Sequence, residues 1–298
     1  MKPKYDVVAL GDVNLDYVVA NNLSFAFSSV KENGLISWEE INELPGGSAL
    51  NFCIYAREAG YQSLLLSKAG NDTAGEFITK WLKRKGIGLS ANWTANYSTG
   101  KALIMRDSSD IRLLINNKIN ANHFLDKHDI NENQASIVSC RVMYISGYNV
   151  SDSRMPRYEA TLLAMDCAKS IPDPPVIVFD VVPHRIYEKL TFNQFRTCTK
   201  HVDILISEVA TARRFLELGS KSELIDDHMA KDTGDQFSEY YGRLVLRYGP
   251  SGCDKQILIN KDTGEFSIEE TYHNLELDKR GFGDRLTINV LREFFRVL

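Results

Sequence analysis

The chain has 298 residues, 44% of them hydrophobic and 25% charged, with a formal net charge of −4. That is apolar material enough for one large α/β domain or two small ones. The acidic balance and the lack of any Lys/Arg run interleaved with aromatics exclude a nucleic-acid partner. No apolar stretch is long enough to span a bilayer, so no membrane partner is expected. Met1-Lys2-Pro3-Lys4-Tyr5-Asp6 lacks the apolar core of a signal peptide. The five cysteines (Cys53, Cys140, Cys167, Cys198 and Cys253) are scattered and form no Cys-x-x-Cys, which points to reduced thiols in a cytoplasm. The six histidines are isolated, so no histidine metal site is expected.

Val7–Leu10 reads as a strand that breaks at Gly11. Residues Asp12 to Leu44 break the regular pattern, and Leu50–Ala59 reads as a helix after Gly46-Gly47, stopped by Gly60. Ser63–Ser67 is a buried-type strand, followed by a helix over Thr73–Lys85 that Gly86 ends. Lys101–Arg106 and Ile111–Asn116 read as two β runs around the turn Asp107-Ser108-Ser109-Asp110. Further strands are expected at Val142–Ser146, Val176–Asp180, Asp203–Ile206 and Leu244–Arg247, and a β-prone run extends from Glu265 to Leu277. An amphipathic segment closes the chain, with Leu286, Val290, Phe294 and Val297 near helical spacing. This alternation implies a mostly parallel sheet with helices on both faces and ligands beyond the carboxyl ends of the strands, where Gly11, Gly147, Asp180, Ser207 and Gly249 fall. The expectation is a single domain over residues 1–298, with lid segments at approximately 12–45 and 90–120.

Three short motifs carry chemistry. In Asp278-Lys279-Arg280-Gly281-Phe282-Gly283-Asp284 two glycines stand between a strand and a helix, where bare backbone N–H groups and the helix start favour an anion. Asp284, expected as the first residue of that helix, would aim a carboxylate at whatever the cradle holds, the arrangement phosphoryl transfer needs. The ordinary alternative is a capped helix start. A dinucleotide site would want a third glycine where Leu286 stands, and an acidic residue roughly 20 positions on. In Gly11-Asp12-Val13-Asn14-Leu15-Asp16, Asn14 and Asp16 sit at alternate positions of an extended chain, point the same way and suit vicinal hydroxyls. In Pro45-Gly46-Gly47-Ser48-Ala49-Leu50-Asn51 a diglycine admits a ligand close to backbone, and Asn51 is expected to begin a helix. Taken singly, the first is more simply a polar turn and the second a helix start.

Together with Lys68-Ala69-Gly70-Asn71-Asp72 and Gly75, Asp180 with Arg185, and Gly249-Pro250-Ser251-Gly252, these motifs resemble, in order and spacing, the ribokinase-like (phosphofructokinase-B type) carbohydrate kinases. The resemblance covers essentially the whole chain. It implies a ribokinase-like α/β fold with a small β lid, and a cytoplasmic kinase that moves the γ-phosphoryl group of ATP, with Mg2+, to a hydroxyl of a sugar or sugar-like substrate. By the same resemblance Asp284 is the base, with Gly281, Phe282 and Gly283 holding the phosphoryl group. Asn14, Asp16, Gly46, Gly47 and Asn51 face the substrate, and Gly249, Gly252, Ser207 and Glu208 lie by the nucleotide. Two other readings stand beside it, a nucleoside kinase with Phe25, Phe27 or Trp93 against the base, and a sugar- or nucleotide-binding relative with a regulatory role. The sequence departs from the family pattern in three places. Glu208-Val209-Ala210-Thr211 stands where Asn-x-x-Glu is usual, and Arg280 and Arg285 flank the terminal glycines. The chain ends at Leu298 where the family adds helices, which leaves an expected adenine site open and a monovalent-cation site incomplete. A homodimer through the lid is a further expectation.

Overall fold

Val7-Val8-Ala9-Leu10 is apolar at every position and buried at every position, as a strand covered on both faces must be. It forms β1 (Val7–Leu10) at the middle of the computed structural model, which describes residues 4–19, 23, 38–106, 108, 112–182, 185–219, 224–249, 254–271 and 281–298. In chain order there follow β2 (Asn14–Val19), β3 (Ile41–Gly46), α1 (Ser48–Glu58), β4 (Ser63–Gly70), α2 (Thr73–Lys85), β5 (Gly88–Thr94), β6 (Gly100–Arg106) and β7 (Arg112–Asn116). Then come α3 (Lys127–Ser139), β8 (Val142–Ser146), α4 (Pro156–Ala168), β9 (Val176–Asp180), α5 (Phe192–Cys198), β10 (Ile204–Glu208) and α6 (Val209–Phe215). The described chain closes with α7 (Asp227–Phe237), β11 (Arg243–Tyr248), β12 (Lys255–Asn260), β13 (Glu265–Glu270) and α8 (Phe282–Glu293).

Nine strands form one sheet in the order β13-β12-β11-β10-β9-β8-β1-β4-β5. From β5 to β11 every neighbour is parallel, and β12 and β13 extend the edge antiparallel. The period-two alternation of a strand sends successive side chains to opposite faces. Val8 and Leu10 therefore join the core under α3, α4, α5 and α7, whereas Val7 and Ala9 join the core under α1, α2 and α8. The chain leaves β1 toward β4 and β5 on one side and returns to β8 on the other. The order reverses at β1, and a crevice opens beyond its carboxyl end.

A second, four-stranded sheet has the order β3-β2-β6-β7. Residues 20–22 and 24–37 of the expected lid segment 12–45 lie outside the described residues, as do three of the four turn positions 107–110. Of segment 90–120, the part up to Thr94 belongs to β5 and the large sheet: it pairs in parallel with β4 through Gly70↔Thr94.

Other boundaries shift for identifiable reasons. The β-prone run from Glu265 ends as a strand at Glu270, and residues 272–280 lie outside the described residues. In α8 the buried face is Phe282, Asp284, Thr287, Ile288, Val290 and Leu291, continued by Phe295; Leu286, Phe294 and Val297 are only partly covered. The helix starts at Phe282, ahead of the Leu286 from which its spacing is read, with Gly281 in the N-cap position. Asn51, likewise expected to begin a helix, is the fourth residue of α1, with Gly47 in the N-cap position.

Candidate active site

Both helices that bound the crevice on one side start on glycine. Gly47 (φ 111°) precedes α1, and a Cβ there would overlap the Asp12 carbonyl. Gly281 (φ 66°) precedes α8 in the left-handed region, where an added Cβ would lie 3.0 Å from Tyr55 Cε2 and 3.1 Å from Asn51 Cβ. No side chain caps either start. The first intrahelical bond of α8 runs from Arg285 N–H to the Gly281 carbonyl at 3.0 Å. The N–H groups of the preceding turn thus have no partner within the helix, as at any helix start.

Asp284 is the third residue of α8 and not the first, because Gly281 supplies the cap and Phe282 opens the helix. That position buries its carboxylate. The Tyr144 hydroxyl, from β8, donates to Asp284 Oδ1 at 3.2 Å and stands 3.4 Å from Asp180 Oδ2 at the end of β9. Tyr144 is fully buried and stacked on Phe52 of α1, ring centroids 4.1 Å apart, so its hydroxyl is held in place by packing. One phenolic proton serves two carboxylates, which favours a proton held between them. Burial, and next Asp180, push the Asp284 carboxyl well above its ordinary range, against the pull of Arg247, Tyr144 and Asn51. Burial pushes Asp180 up to about 6, opposed by Arg247 and Tyr144 and helped by Glu208.

Arg247, near the end of β11, is 7% exposed and donates from Nη2 to Thr287 Oγ1 of α8 at 2.8 Å. Its Nη1 lies 3.0 Å from where a Cβ on Gly283 would be, so glycine there makes room for the guanidinium.

Asn51, Asp180, Arg247, Gly283 and Asp284 line a cleft of about 820 Å³, as do Asn14, Asp16, Lys101 and Asn116 of the second sheet. Asn14 and Asp16 occupy alternate positions of β2, as the extended-chain reading requires. Gly46, opposite Asn14 in β3, has no side chain because the Asp16 carboxylate occupies that space. Asn122 fixes the approach to β2: it accepts from Val13 N–H at 3.0 Å and donates to the Val13 carbonyl at 3.0 Å and to Asn14 Oδ1 at 2.9 Å. Arg157 Nη1, itself buried, donates to Asp12 Oδ1 at 3.0 Å, and both residues line the cleft.

The structure thus brings Asn14, Asp16, Gly47, Asn51, Ser207, Glu208, Gly281, Phe282, Gly283 and Asp284 to one cleft. Gly46 stands just behind its wall. Gly249 (φ 112°) packs on Asp254 and is not among the lining residues, and Gly252 lies outside the described residues. Phe25, Phe27 and Arg280 are also outside them; Arg285 is exposed, and Trp93 packs on Gly75 instead of lining the cleft. Sequence reasoning missed Tyr144, Asn122, Arg157 and Arg247. For Arg247 a signal existed: a charged residue in the apolar run Leu244-Val245-Leu246-Arg247-Tyr248, at the carboxyl end of a parallel strand, is where ligands sit. Tyr144 gave none, since Val142-Met143-Tyr144-Ile145 reads as ordinary core.

Among the described residues no group of three or more His, Cys, Asp or Glu is placed to hold a metal ion, and no helix is long and apolar enough to cross a membrane. Asp180 and Glu208, at the ends of adjacent strands, fit a magnesium ion whose other ligands come from phosphate and water.

Comparison with known proteins agrees with this architecture. The chain is 25% identical over 263 residues to the 5-dehydro-2-deoxygluconokinase of Clostridium perfringens, spanning 84% of this chain and 70% of that one. In fold it is similar to the adenosine kinase from Sinorhizobium meliloti (TM-score 0.75, 16% identity, 95% of this chain and 85% of that chain). It is also similar to an uncharacterized sugar kinase from Pyrococcus horikoshii in complex with ATP (TM-score 0.72, 16% identity, 97% and 84%). The family model described as pfkB family carbohydrate kinase matches residues 4–253. The chain belongs to the pfkB family of carbohydrate kinases and has its ribokinase-like α/β fold.

Proposed function

We propose that the protein transfers the γ-phosphoryl group of ATP to a hydroxyl of a sugar or sugar-like acceptor bound between the second sheet and α8. The observation that carries this reading is the placement of a buried carboxylate, Asp284, on an uncapped helix start in the same cleft that Asn14 and Asp16 line. Asn14 and Asp16 hold acceptor hydroxyls. The acceptor oxygen attacks the γ-phosphorus, the bond to the β-phosphate oxygen breaks, ADP leaves, and the hydroxyl proton passes to Asp284. Backbone N–H groups at Gly281 to Asp284 meet the negative charge that develops on the phosphoryl oxygens. Tyr144 and Asn51 hold the Asp284 carboxylate in position through hydrogen bonds. Asp180 and Glu208 would hold, on this side, a magnesium ion arriving with the nucleotide, which would supply charge neutralisation.

The acceptor in the name of the Clostridium relative, a 5-dehydro-2-deoxygluconate, heads the panel to test. A second copy of the chain is the expected protein partner. On the outer face of the second sheet, Tyr17, Leu103, Met105, Leu113 and Ile115 lie together by strand register, and Leu113 and Ile115 are 40% and 51% exposed. The test is a coupled assay of ADP release over a panel of neutral, keto- and acidic sugars and nucleosides, with thermal-shift measurements alongside. Turnover with a sugar supports the proposal. Sugar-induced stabilisation without turnover on any member would replace it with a binding role, and turnover confined to nucleosides would replace the acceptor class.

A further inference from the structure

Arg247 is a buried residue of the cleft that the phosphoryl-transfer scheme does not use. A guanidinium stays charged at every accessible pH, and holding it away from water is costly unless charge or hydrogen bonds compensate. It donates one bond, to Thr287 Oγ1, while its buried Nε has no partner at all. Thr287 in turn donates to the Gly283 carbonyl at 3.0 Å, so the hydroxyl that receives Arg247 is itself tied to the first turn of α8. Both attachments, and the Gly283 position that lacks a Cβ, set the guanidinium over the helix start. Three carboxylates, Asp180, Glu208 and Asp284, line the same part of the cleft. A polyphosphate brought against them needs a fixed cation on the protein side.

We propose that Arg247 is a further catalytic residue, contacting the terminal phosphoryl group of a polyphosphate ester at the start of α8. The inference rests on the kinase reading of the cleft but makes its own prediction about polyphosphate binding. Arg suits the task because its forked N–H donors engage two oxygens of one phosphoryl group, whereas the backbone N–H groups approach from the helix side. The charge also acts on Asp180 and Asp284 from β11, alongside Tyr144 from β8, Glu208 from β10 and Asn51 from α1. Its loss therefore leaves the carboxylates more basic as well as the phosphoryl group less well held.

The test is calorimetric titration of inorganic tripolyphosphate and of ATP into wild type, Arg247→Met, Arg247→Lys and Thr287→Val, with folding checked by circular dichroism. A charge-assisted bond to phosphate is expected to account for a ten- to hundred-fold loss of tripolyphosphate affinity in Arg247→Met, to an order of magnitude. Arg247→Lys should recover part of it, and Thr287→Val, which removes the anchor and keeps the charge, should lie between. If Arg247→Met does not fold, the lysine and valine variants carry the measurement. Tripolyphosphate affinity within two-fold of wild type in the folded variants overturns the proposal and makes Arg247 a counter-ion of the carboxylate pair. Arg247-dependent polyphosphate binding in a wild type without turnover would overturn the kinase reading and leave this inference standing. Turnover with Arg247-independent binding would do the reverse.

Discussion

A carboxylate accepts a proton only while it is ionised, and the surroundings of Asp284 work against that. Burial and the neighbouring Asp180 both raise it, with Arg247, Tyr144 and Asn51 on the other side. The pair titrates as a unit, so the acid limb of the kcat/KM–pH profile should lie well above the ordinary carboxylate range. Removing the negative neighbour favours the ionised form of Asp284. Asp180→Asn should therefore move that limb to lower pH; a limb that stays or rises would show that Asp180 does not act on the base. Stability gives a second reading. Asp180 is raised from 3.8 to about 6, so the folded state binds the proton more tightly than the unfolded one. That contribution is fully present below the unfolded value and is lost as pH rises through about 6. The melting temperature of the wild type should fall between about pH 4 and 6, and Asp180→Asn should flatten that fall. On the acceptor side, Asp16→Ala should raise the KM for the acceptor by roughly one to two decades and that for ATP much less. Unchanged acceptor binding by calorimetry would place the sugar elsewhere.

At the scale of elements, three strands covered on both faces were readable to the residue: Val7–Leu10, Val142–Ser146 and Val176–Asp180 stand where their apolar runs place them; the expected Ser63–Ser67 runs on to Gly70 and Asp203–Ile206 is shifted to Ile204–Glu208. So does α2, because Asp72 caps its start, accepting from Gly75 N–H at 2.9 Å, and Gly86 ends it. Less was readable where tertiary contact decides. β5 and β12 are not among the strands read from the sequence; they pair with β4 and β11. The helix α8 begins at Phe282, ahead of the Leu286 from which its apolar spacing is read, and its start depends on Gly281 fitting against Asn51 and Tyr55, far away in sequence. Within the site, Asn14 and Asp16 were legible from alternation, but Asn122, which holds Asn14, is recruited from an unrelated segment. The second sheet carries its own prediction. With Ala102, Ile104 and Leu114 turned to the cleft, Leu113 and Ile115 face away, apolar and exposed. Leu113→Lys with Ile115→Lys should convert a dimer to a monomer in sedimentation velocity. A wild-type monomer at tens of micromolar, on the order of typical weak-dimer concentrations, would refute pairing through this face.

For the whole molecule, the cleft exists because two sheets meet at the carboxyl end of β1. The chain crosses between them through Gly11-Asp12-Val13 and again through Gly46-Gly47. A third crossing is pinned by Asp72, which accepts from Thr99 N–H at 3.0 Å and from Thr99 Oγ1 at 2.7 Å. The large sheet supplies Asp180, Glu208, Tyr144 and Arg247, the helices Asn51 and Asp284, and the second sheet Asn14 and Asp16. Acceptor and phosphoryl donor are thus assigned to opposite walls, and the base stands where they meet. The most direct measurement of that assignment is steady-state turnover of Asp284→Asn, with acceptor affinity followed by calorimetry on the same protein. Asn preserves the shape and the hydrogen-bonding partners but accepts no proton. The account predicts a kcat lower by about 10²–10⁴-fold with acceptor affinity nearly unchanged. An Asp284→Asn protein that keeps wild-type kcat would contradict it, and would leave Asp284 as a helix-start residue that asparagine replaces without loss.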